Sequence, residues 1–335
     1  MIITEFYDGQ GLGNQLWVYV ATRTIAKKLN IPFLILAPER FKGRDFLDIA
    51  YGEVETTDEV VKMIAENKLN IFKETMYLDL DLDCFSIDYD AAVLNLKPYT
   101  KIDGYFQSEK YFFGDLEYFK TLLPIKHNWL DKKQIEDDQC VLNIRGGEYK
   151  GVSTLILPKS YWVDAMNNMI KRFPNIKEFV IVTDDAEYAS RLFPEIGQVE
   201  RGVAQSYLAL HQAKYLIVSN SSFSYFPIKT QQNKSFVIAP LHWARFNNPY
   251  KRWSSPANLY TDWFWQDSNG VLHTYEESVD GYLQTMQYYE DNYNVRTSYE
   301  VYGKFHKPFT FKKYIPKPIK TFVKKMIFGY TKHQR

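Results

Sequence analysis

The first forty residues alternate between an apolar strand pattern and a helical pattern. IITEF predicts a short strand, which ends at the turn-forming pair Asp8-Gly9. Apolar side chains then recur at helical spacing as far as Leu29, with lysines in the last turn and Pro32 just beyond, so we expect a helix there. FLILA predicts a buried strand. Together these segments predict one βαβ unit, after which the pattern blurs over residues 40–100.

The second half of the chain repeats strand and helix patterns more regularly. CVLNIR, EFVIVTDD and FVIAP predict strands, and SYWVDAMNNMIKRF and AEYASRLF predict helices. AQSYLALHQAKYLIVSNSSFSYF predicts a helix that runs into a strand and a polar turn. Repeated units of this kind favour parallel sheets. We therefore predict an α/β fold with two Rossmann-like lobes that meet near residues 125–138: an N-terminal domain over 1–130 and a C-terminal domain over 131–300.

Composition is that of a globular chain with two domains. The chain has 335 residues, of which 45% are hydrophobic, which is enough for two cores. Its two cysteines, Cys84 and Cys140, cannot build a disulfide framework and have no metal-ligand spacing. The sequence does not open with a signal pattern, and no apolar run reaches the length of about 18 residues expected of a membrane span. We therefore expect a cytoplasmic protein.

Charge is balanced in total but uneven along the chain. Lysine and arginine number 41 against 40 acidic residues, a net charge of +1, which argues against a wholly basic nucleic-acid-binding protein. Residues 301–335 carry a charge of +10 and contain no Asp or Glu, whereas the rest of the chain carries −9. The sequence therefore predicts an acidic body with a basic C-terminal tail.

This basic tail has an amphipathic pattern. Its apolar side chains recur at helical spacing and most of its lysines fall off that stripe, which is typical of a helix lying on anionic lipid. We expect residues 315–330 to hold the protein on the inner face of the cytoplasmic membrane, with a helix packed on the body of the protein as the alternative. The stripe consists of Ile319, Phe322, Val323, Met326, Ile327 and Tyr330.

A glycine-rich segment, DGQGLGNQ at residues 8–15, joins the first predicted strand to the first helix. Glycines at such a turn let backbone N–H groups approach a phosphate or a sugar, helped by the helix N-terminus. The segment is a poor dinucleotide fingerprint, because Asn14 stands where the third glycine is expected. A plain tight turn explains it equally well.

A second candidate, NIRGGEYKG at residues 143–151, follows a buried strand. Arg145 stands at the carboxyl end of that strand, where an unpaired cation is costly and where open α/β sheets bind ligands. Arginine suits bidentate contact with phosphate, and the glycines after it leave room. A structural salt bridge is the alternative for Arg145.

Two polar segments, VTDD and SNSSFSYF, end other strands of the second half. Asp184 suits a purine or ribose edge, and the hydroxyls and turn amides that follow Ser219 suit a diphosphate. Capping of the next helix explains either segment equally well.

A competing signal is YLDLDLD, in which Asp79, Asp81 and Asp83 alternate with leucine. A strand would place these three carboxylates on one face, where they could hold a divalent cation. An exposed strand face is the simpler explanation. The six histidines show no metal-ligand spacing.

Five segments occur in the order, and at roughly the spacing, of the α-1,2-fucosyltransferases of glycosyltransferase family 11, which the sequence resembles over residues 3–245. They are DGQGLGNQLWVYVATRTIAKKLN, GYFQSEKYF, VLNIRGGEY, VIVTDD and IVSNSSFSYF. More distantly, the sequence is similar to α-1,6- and protein O-fucosyltransferases. The resemblance implies a GT-B fold of two facing Rossmann-like domains. It also implies transfer of fucose from GDP-fucose with inversion and with no metal or other cofactor.

The resemblance further implies roles for individual residues. Arg145 matches the first arginine of the family's H-x-R-R-G-D motif, which grips the donor diphosphate, and Gly147 matches its glycine. Asp184 matches a donor-side segment. The other donor-binding residues implied are Gly11, Gly13 and Asn14 in the glycine loop and Ser221, Ser222, Phe223 and Ser224 in the later turn.

The motif of this chain is divergent. Asn143 stands at its histidine, Gly146 at its second arginine and Glu148 at its aspartate. We nevertheless expect Asn143 to bind the donor. We expect Arg145 and Glu148 to be the catalytic residues. Loss of a cation that faces a diphosphate weakens the site unless another cation replaces it.

We therefore expect an inverting, metal-independent transferase that forms an α-1,2 linkage from GDP-fucose to a galactoside hydroxyl. The acceptor would be a cell-surface glycan or a lipid-linked precursor, such as an O-antigen precursor, and no nucleic acid partner is expected. Two alternatives stay open: a transferase of the same fold that uses another nucleotide sugar, and a glycan-binding protein with a degenerate transferase fold.

Overall fold

The computed structural model describes most of the first 292 residues. The basic tail 301–335, its membrane-binding segment 315–330 and the predicted end of the C-terminal domain at residue 300 lie outside the described residues. The described residues are 1–52, 60, 62–63, 66, 68–199, 202–254 and 258–292.

Strands and helices alternate through both halves of the described chain. The strands are β1 Ile2–Glu5, β2 Phe33–Leu36, β3 Asn70–Lys73, β4 Met76–Asp79, β5 Cys84–Ile87, β6 Thr100–Asp103, β7 Gln139–Ile144, β8 Glu178–Thr183, β9 Gly197–Gln198, β10 Tyr215–Val218, β11 Phe236–Pro240, β12 Phe264–Gln266 and β13 Leu272–His273. The helices are α1 Leu12–Leu29, α2 Leu116–Thr121, α3 His127–Leu130, α4 Lys159–Arg172, α5 Ala186–Leu192, α6 Val203–Gln212, α7 Ser222–Lys229 and α8 Tyr275–Asn292. Within the described ranges, none of the helices combines the length and the apolar character needed to cross a bilayer.

The first sheet belongs to the N-terminal half. Its strands lie in the order β2-β1-β6-β3 and pair in parallel, so the βαβ unit predicted at the N-terminus is confirmed. Lys27 and Lys28 occupy the last turn of α1, where cations interact favourably with the helix dipole. Asn30 closes the helix in a left-handed conformation with φ 54°. The strands found between residues 70 and 103, where the pattern is weak, are only four residues long.

The second sheet belongs to the C-terminal half and has the order β13-β12-β11-β10-β7-β8-β9. It is parallel apart from the edge pair β12–β13. The predicted α/β class with two Rossmann-like parallel sheets is therefore confirmed. Two such sheets that share a cleft form the arrangement called GT-B. The exact domain limits near residue 130 stay a prediction.

The two halves share an apolar core where α1 meets α7. Trp17 of α1 stacks on Tyr225 of α7 with ring centroids 4.3 Å apart, and it meets Phe226 edge-on at 4.9 Å. All three side chains are almost completely buried. Aromatic pairs of this geometry add to the free energy gained from burial alone. The contact holds the glycine segment before α1 close to the start of α7.

The polar turn predicted for SNSSFSYF is wrong beyond Ser221, because helix α7 begins at Ser222. Ser221 caps this helix, and its Oγ accepts a hydrogen bond from the Phe223 amide at 3.3 Å. Serines favour turns in isolation, but the aromatic side chains that follow them gain more by packing on α1 as a helix.

The continuous strand expected for YLDLDLD is also wrong. β4 ends at Asp79, and residues 80–83 form the turn to β5. The cause is local, because Asp79 Oδ1 accepts the amides of Asp81 and Leu82, both at 3.0 Å. The three carboxylates therefore do not line one face of a strand.

Candidate active site

A cleft opens between the two halves at the carboxyl ends of their strands, and it has two adjoining compartments of about 410 Å³ each. The hairpin compartment is bordered by residues 83–85 of the β4–β5 hairpin and by Gln107. The β8 compartment is bordered by residues 182–184 at the end of β8 and by residues 202–203 at the start of α6. The residues common to both are Gly11, Leu12, Arg145, Glu148, Ser221 and Phe223.

The cleft brings together most of the predicted site residues. Gly147 and Ser224 do not line it. The predicted residues that do line it are Gly11, Gly13, Asn14, Asn143, Arg145, Glu148, Asp184, Ser221, Ser222 and Phe223.

Arg145 lies where the compartments meet, one residue beyond the end of β7. Its Nη1 is 2.8 Å from Asp184 Oδ2, and its Nη2 is 3.3 Å from Glu148 Oε1. Its Nε is buried and has no hydrogen-bond partner in the described part of the chain. The guanidinium therefore lines the cleft and also forms the salt bridge that was the alternative. The three side chains Arg145, Asp184 and Glu148 together carry a formal charge of −1.

Gly146, at the position of the motif's second arginine, has no space for a side chain. A Cβ there would lie 2.7 Å from Asp185 Cβ and 2.8 Å from Tyr188 Cδ1, and its amide donates to Asp184 Oδ1 at 2.9 Å. Gly147 has φ 29°, and a Cβ there would overlap Asp184 Oδ2. An arginine at Gly146 would displace α5. The packing of this loop therefore excludes the second arginine of the motif.

The glycine segment meets the first turn of α7 across the cleft. Asn14 Oδ1 accepts hydrogen bonds from Ser222 Oγ and Gln107 Nε2, both at 2.7 Å. A Cβ on Gly13 would lie only 2.6 Å from the Phe223 nitrogen. A Cβ on Gly11 would meet nothing within 4 Å. Gly13 and Asn14 therefore hold the two halves together, whereas Gly11 leaves open space at the junction of the compartments.

Three other predicted residues have different surroundings. Asn143 is buried in β7, where its Nδ2 donates to Val182 O at 3.4 Å and its Oδ1 has no partner among the described residues. Ser221 borders both compartments and caps α7. Ser224 is fully buried, and its hydroxyl donates to the Ser221 carbonyl at 2.9 Å, so it stabilises the helix away from the cleft.

Two cations at the cleft were missed by sequence analysis. Lys42 borders the β8 compartment, and Arg245 borders the hairpin compartment. Burial raises the pKa of Tyr149, which also lines the cleft, to about 12, and the charges of Arg145 and Arg245 both oppose this rise. Arg245 lies five residues beyond the carboxyl end of β11, so the rule that pointed to Arg145, which directly follows its strand, does not single it out.

The first two aspartates of YLDLDLD pair with arginine. Asp79 is fully buried, lies 3.2 Å from Arg252 Nε and accepts the Tyr289 hydroxyl at 3.0 Å. Asp81 Oδ2 is 2.8 Å from Arg252 Nη2. These contacts anchor the β4–β5 hairpin to α8. In the part of the chain that the structure describes, no three His, Cys, Asp or Glu side chains are grouped as metal ligands.

A buried carboxylate supports another wall of the hairpin compartment. Glu74 Oε2 accepts the amides of Tyr105 and Phe106 at 2.7 and 2.8 Å, and its Oε1 accepts the Tyr111 hydroxyl at 2.9 Å. Burial raises the pKa of Glu74 to about 7, because these three hydrogen bonds offset only part of the lost hydration. Glu74 thereby fixes the start of the loop that carries Gln107.

Glu74 is expected to make the protein less stable as the pH rises from about 4.5 to about 7. A carboxyl pKa of about 7 when folded, against 4.5 when unfolded, means that the folded protein binds the proton more tightly over this interval. Relative to Glu74→Gln, the native chain should lose roughly 3 kcal/mol in free energy of unfolding. Urea denaturation at several pH values measures this loss, and parallel pH profiles for the two proteins would contradict it.

Comparison with known proteins gives similar structures but no family. No protein-family model matches the chain, and no curated protein matches it significantly. The chain is similar to NodZ α-1,6-fucosyltransferase soaked with GDP-fucose (13% identity over 70% of this chain and 94% of that one, TM-score 0.39). It is also similar to a variant of Arabidopsis thaliana FUT1 in complex with GDP (13% identity, 70% of each chain, TM-score 0.41) and to POFUT1 in complex with GDP-fucose (9% identity, 71% and 96%, TM-score 0.38).

The chain's own fold and cleft define its class. It is a two-lobed α/β protein with an arginine at the carboxyl end of a central parallel strand, facing a glycine loop from the other lobe. In open α/β sheets this position is where ligands bind.

Proposed function

We propose that the chain is an inverting, metal-independent α-1,2-fucosyltransferase, which moves fucose from GDP-fucose to a galactoside hydroxyl. The observation that carries the proposal is the position of Arg145, the motif arginine, at the junction of the two compartments. The order of the five motif segments over residues 3–245 supports the same reaction. The donor spans the junction, with its nucleoside in the β8 compartment and its sugar in the hairpin compartment.

The residues at the junction suit the departure of a nucleoside diphosphate. The acceptor hydroxyl attacks the anomeric carbon from the face opposite the diphosphate, and the new C–O bond forms as the bond to the phosphate oxygen breaks. Arg145 stabilises the negative charge that develops on that oxygen, and the first amides of α7 beyond Ser221 add favourable dipoles. The open space at Gly11 lets the donor approach the loop.

Glu148 is the general base of this proposal. Its side chain is 79% exposed and lies 3.3 Å from Arg145 Nη2. A phosphate that binds Arg145 competes with Glu148 for the guanidinium and so frees the carboxylate to turn towards the acceptor. Glu148 then takes the hydroxyl proton as the C–O bond forms. Asp83 borders the hairpin compartment as well and is the second carboxylate to test.

A panel of nucleotides tests the donor. The melting temperature of the native chain is measured with GDP, UDP and dTDP, each with and without EDTA. Stabilisation by GDP that is indifferent to EDTA is the expected result, because arginine and helix amides bind the diphosphate. Stabilisation by UDP that requires a divalent metal would contradict GDP-fucose as the donor and indicate a uridine diphosphate sugar instead.

A second candidate function is the binding of glycans without transfer. The formal charge of −1 around Arg145 and the packed position of Gly146 favour it, since both weaken a diphosphate site. The two functions differ in the fate of the donor. A chain that binds galactosides but neither hydrolyses nor transfers from GDP-fucose is the glycan-binding protein.

We also propose that residues 315–330 bind the inner face of the cytoplasmic membrane, where the acceptor is a lipid-linked glycan such as an O-antigen precursor. The support is the charge of +10 over residues 301–335, together with the apolar stripe in that segment. Lysines close to an anionic surface contribute about 1 kcal/mol each.

Deletion of residues 301–335 should abolish binding to vesicles that contain phosphatidylglycerol, as measured by co-sedimentation. The native chain should bind these vesicles more weakly as salt increases, and it should bind neutral phosphatidylcholine vesicles poorly. Equal binding of the native and shortened chains to the anionic vesicles would refute a membrane role for the tail.

A further inference from the structure

The hairpin compartment contains a cation that the family motif does not supply. Arg245 follows β11, and only 8% of its surface is exposed. Its guanidinium donates to three backbone carbonyls: Nε to Leu82 at 2.9 Å, Nη1 to Ala244 at 3.1 Å and Nη2 to Asp83 at 2.7 Å. All three acceptors are neutral.

The two arginines of the cleft differ in whether carboxylates balance their positive charge. Arg145 pairs with both Asp184 and Glu148. Among the described residues, no carboxylate oxygen lies within 4.0 Å of the Arg245 guanidinium, whose described partners are the three carbonyls. A guanidinium has five N–H donors, so two are left for a ligand. A buried cation with no counter-charge is costly, and a site of this kind fits an anion.

The β4–β5 hairpin fixes the orientation of Arg245. Leu82 and Asp83, which supply two of the carbonyls, belong to the turn that Asp79 organises. Asp79 and Asp81 in turn pair with Arg252. The hairpin of the N-terminal half thus holds an arginine of the C-terminal half at the edge of the cleft.

We propose that Arg245 binds the sugar-side phosphate of the nucleoside diphosphate and so replaces the cation lost at Gly146. The inference rests on the proposed nucleotide-sugar function. Arg145 borders both compartments, whereas Arg245 borders only the hairpin compartment, where the sugar lies. The two arginines therefore contact successive phosphates of the donor, with Arg245 on the one nearer the sugar. Arg245 then assists Arg145 in stabilising the negative charge on the departing diphosphate, because Arg145 is already paired with Asp184.

Calorimetric titration with GDP and GMP tests the assignment, because these ligands differ only in the sugar-side phosphate. The native chain should prefer GDP. Arg245→Gln keeps N–H donors near the hairpin carbonyls but removes the charge, so it should lower the affinity for GDP about 10- to 100-fold and that for GMP less than about threefold. Arg191→Ala removes an exposed arginine paired with Glu187 on α5 and should change neither affinity.

The possible outcomes separate this inference from the proposed function. A folded Arg245→Gln protein that keeps the native preference for GDP overturns the inference. A native chain that prefers UDP contradicts the proposed donor, and the same comparison with UDP and UMP then decides the role of Arg245. A native chain that binds no nucleoside diphosphate overturns both.

A crystal structure of the native chain with GDP gives a second measurement that needs no substitution, in case the variant does not fold. A sugar-side phosphate oxygen within hydrogen-bond distance of the Arg245 guanidinium supports the inference. A phosphate held away from Arg245 overturns it.

Discussion

Replacement of Arg145 by alanine is expected to abolish sugar transfer and to leave the fold intact. The variant loses the cation at the junction of the compartments, where negative charge develops on the leaving diphosphate, so kcat should fall at least about 100-fold. Asp184 keeps the hydrogen bond from the Gly146 amide at 2.9 Å, so the loop does not lose all its support. GDP release from GDP-fucose in the presence of a galactoside measures the loss, and circular dichroism checks the fold.

Arg191→Ala is the matched control for this experiment. It removes an arginine from the same lobe, but one that is exposed and paired with Glu187 along α5. Its kcat should match that of the native chain, because Arg191 lies outside the cleft and an exposed ion pair of this kind contributes little to the stability of the fold. Near-native turnover by Arg145→Ala would exclude Arg145 from the chemistry.

Gly13→Ala is expected to destabilise the protein, although alanine normally stabilises a helix relative to glycine. A Cβ at this position would lie 2.6 Å from both the nitrogen of Phe223 and the carbonyl carbon of Ser222. These are backbone atoms, so relief requires α1 and α7 to move apart, which would loosen the stacking of Trp17 on Tyr225. We expect a loss of about 3 kcal/mol in the free energy of unfolding, measured by urea denaturation.

Gly11→Ala provides the control from the same loop. A Cβ there meets nothing within 4 Å, and the backbone φ of −69° suits any residue. The free energy of unfolding should change by less than about 1 kcal/mol. If Gly13→Ala were as stable as Gly11→Ala, the close approach of the two helices would be refuted.

The strands of both sheets could be predicted where apolar runs are bounded by glycine, proline or acidic residues. β11 matches the predicted FVIAP segment residue for residue, and β1 and β8 begin where expected. β3 and β6 could not be predicted, because polar residues interrupt their short apolar runs, which read NIFK and TKID. The start of helix α7 at Ser222 could not be predicted either, for a different reason. It depends on Trp17, which lies some 200 positions earlier in the chain and whose contact no local pattern reveals.

The candidate site was predictable to the extent that it follows the ends of parallel strands. Arg145 could be picked out because it directly follows a buried strand that the pattern identifies. Arg245 could not, because four intervening residues separate it from the end of β11 and its partners at Leu82 and Asp83 lie in the other half. Asp79 and Asp81 of the hairpin were misinterpreted because Arg252, which pairs with them, lies some 170 positions later in the chain.

The most direct test of the central claim is a transfer assay with the native full-length chain. GDP-fucose and a β-galactoside are incubated in EDTA, and the product is examined by proton NMR while GDP is quantified. We expect fucose on the galactoside with the anomeric configuration opposite to that of the donor, in an amount equal to the GDP released, and no product with Arg145→Ala. Binding of the galactoside without release of GDP would contradict a transferase, and transfer with retention would contradict the mechanism.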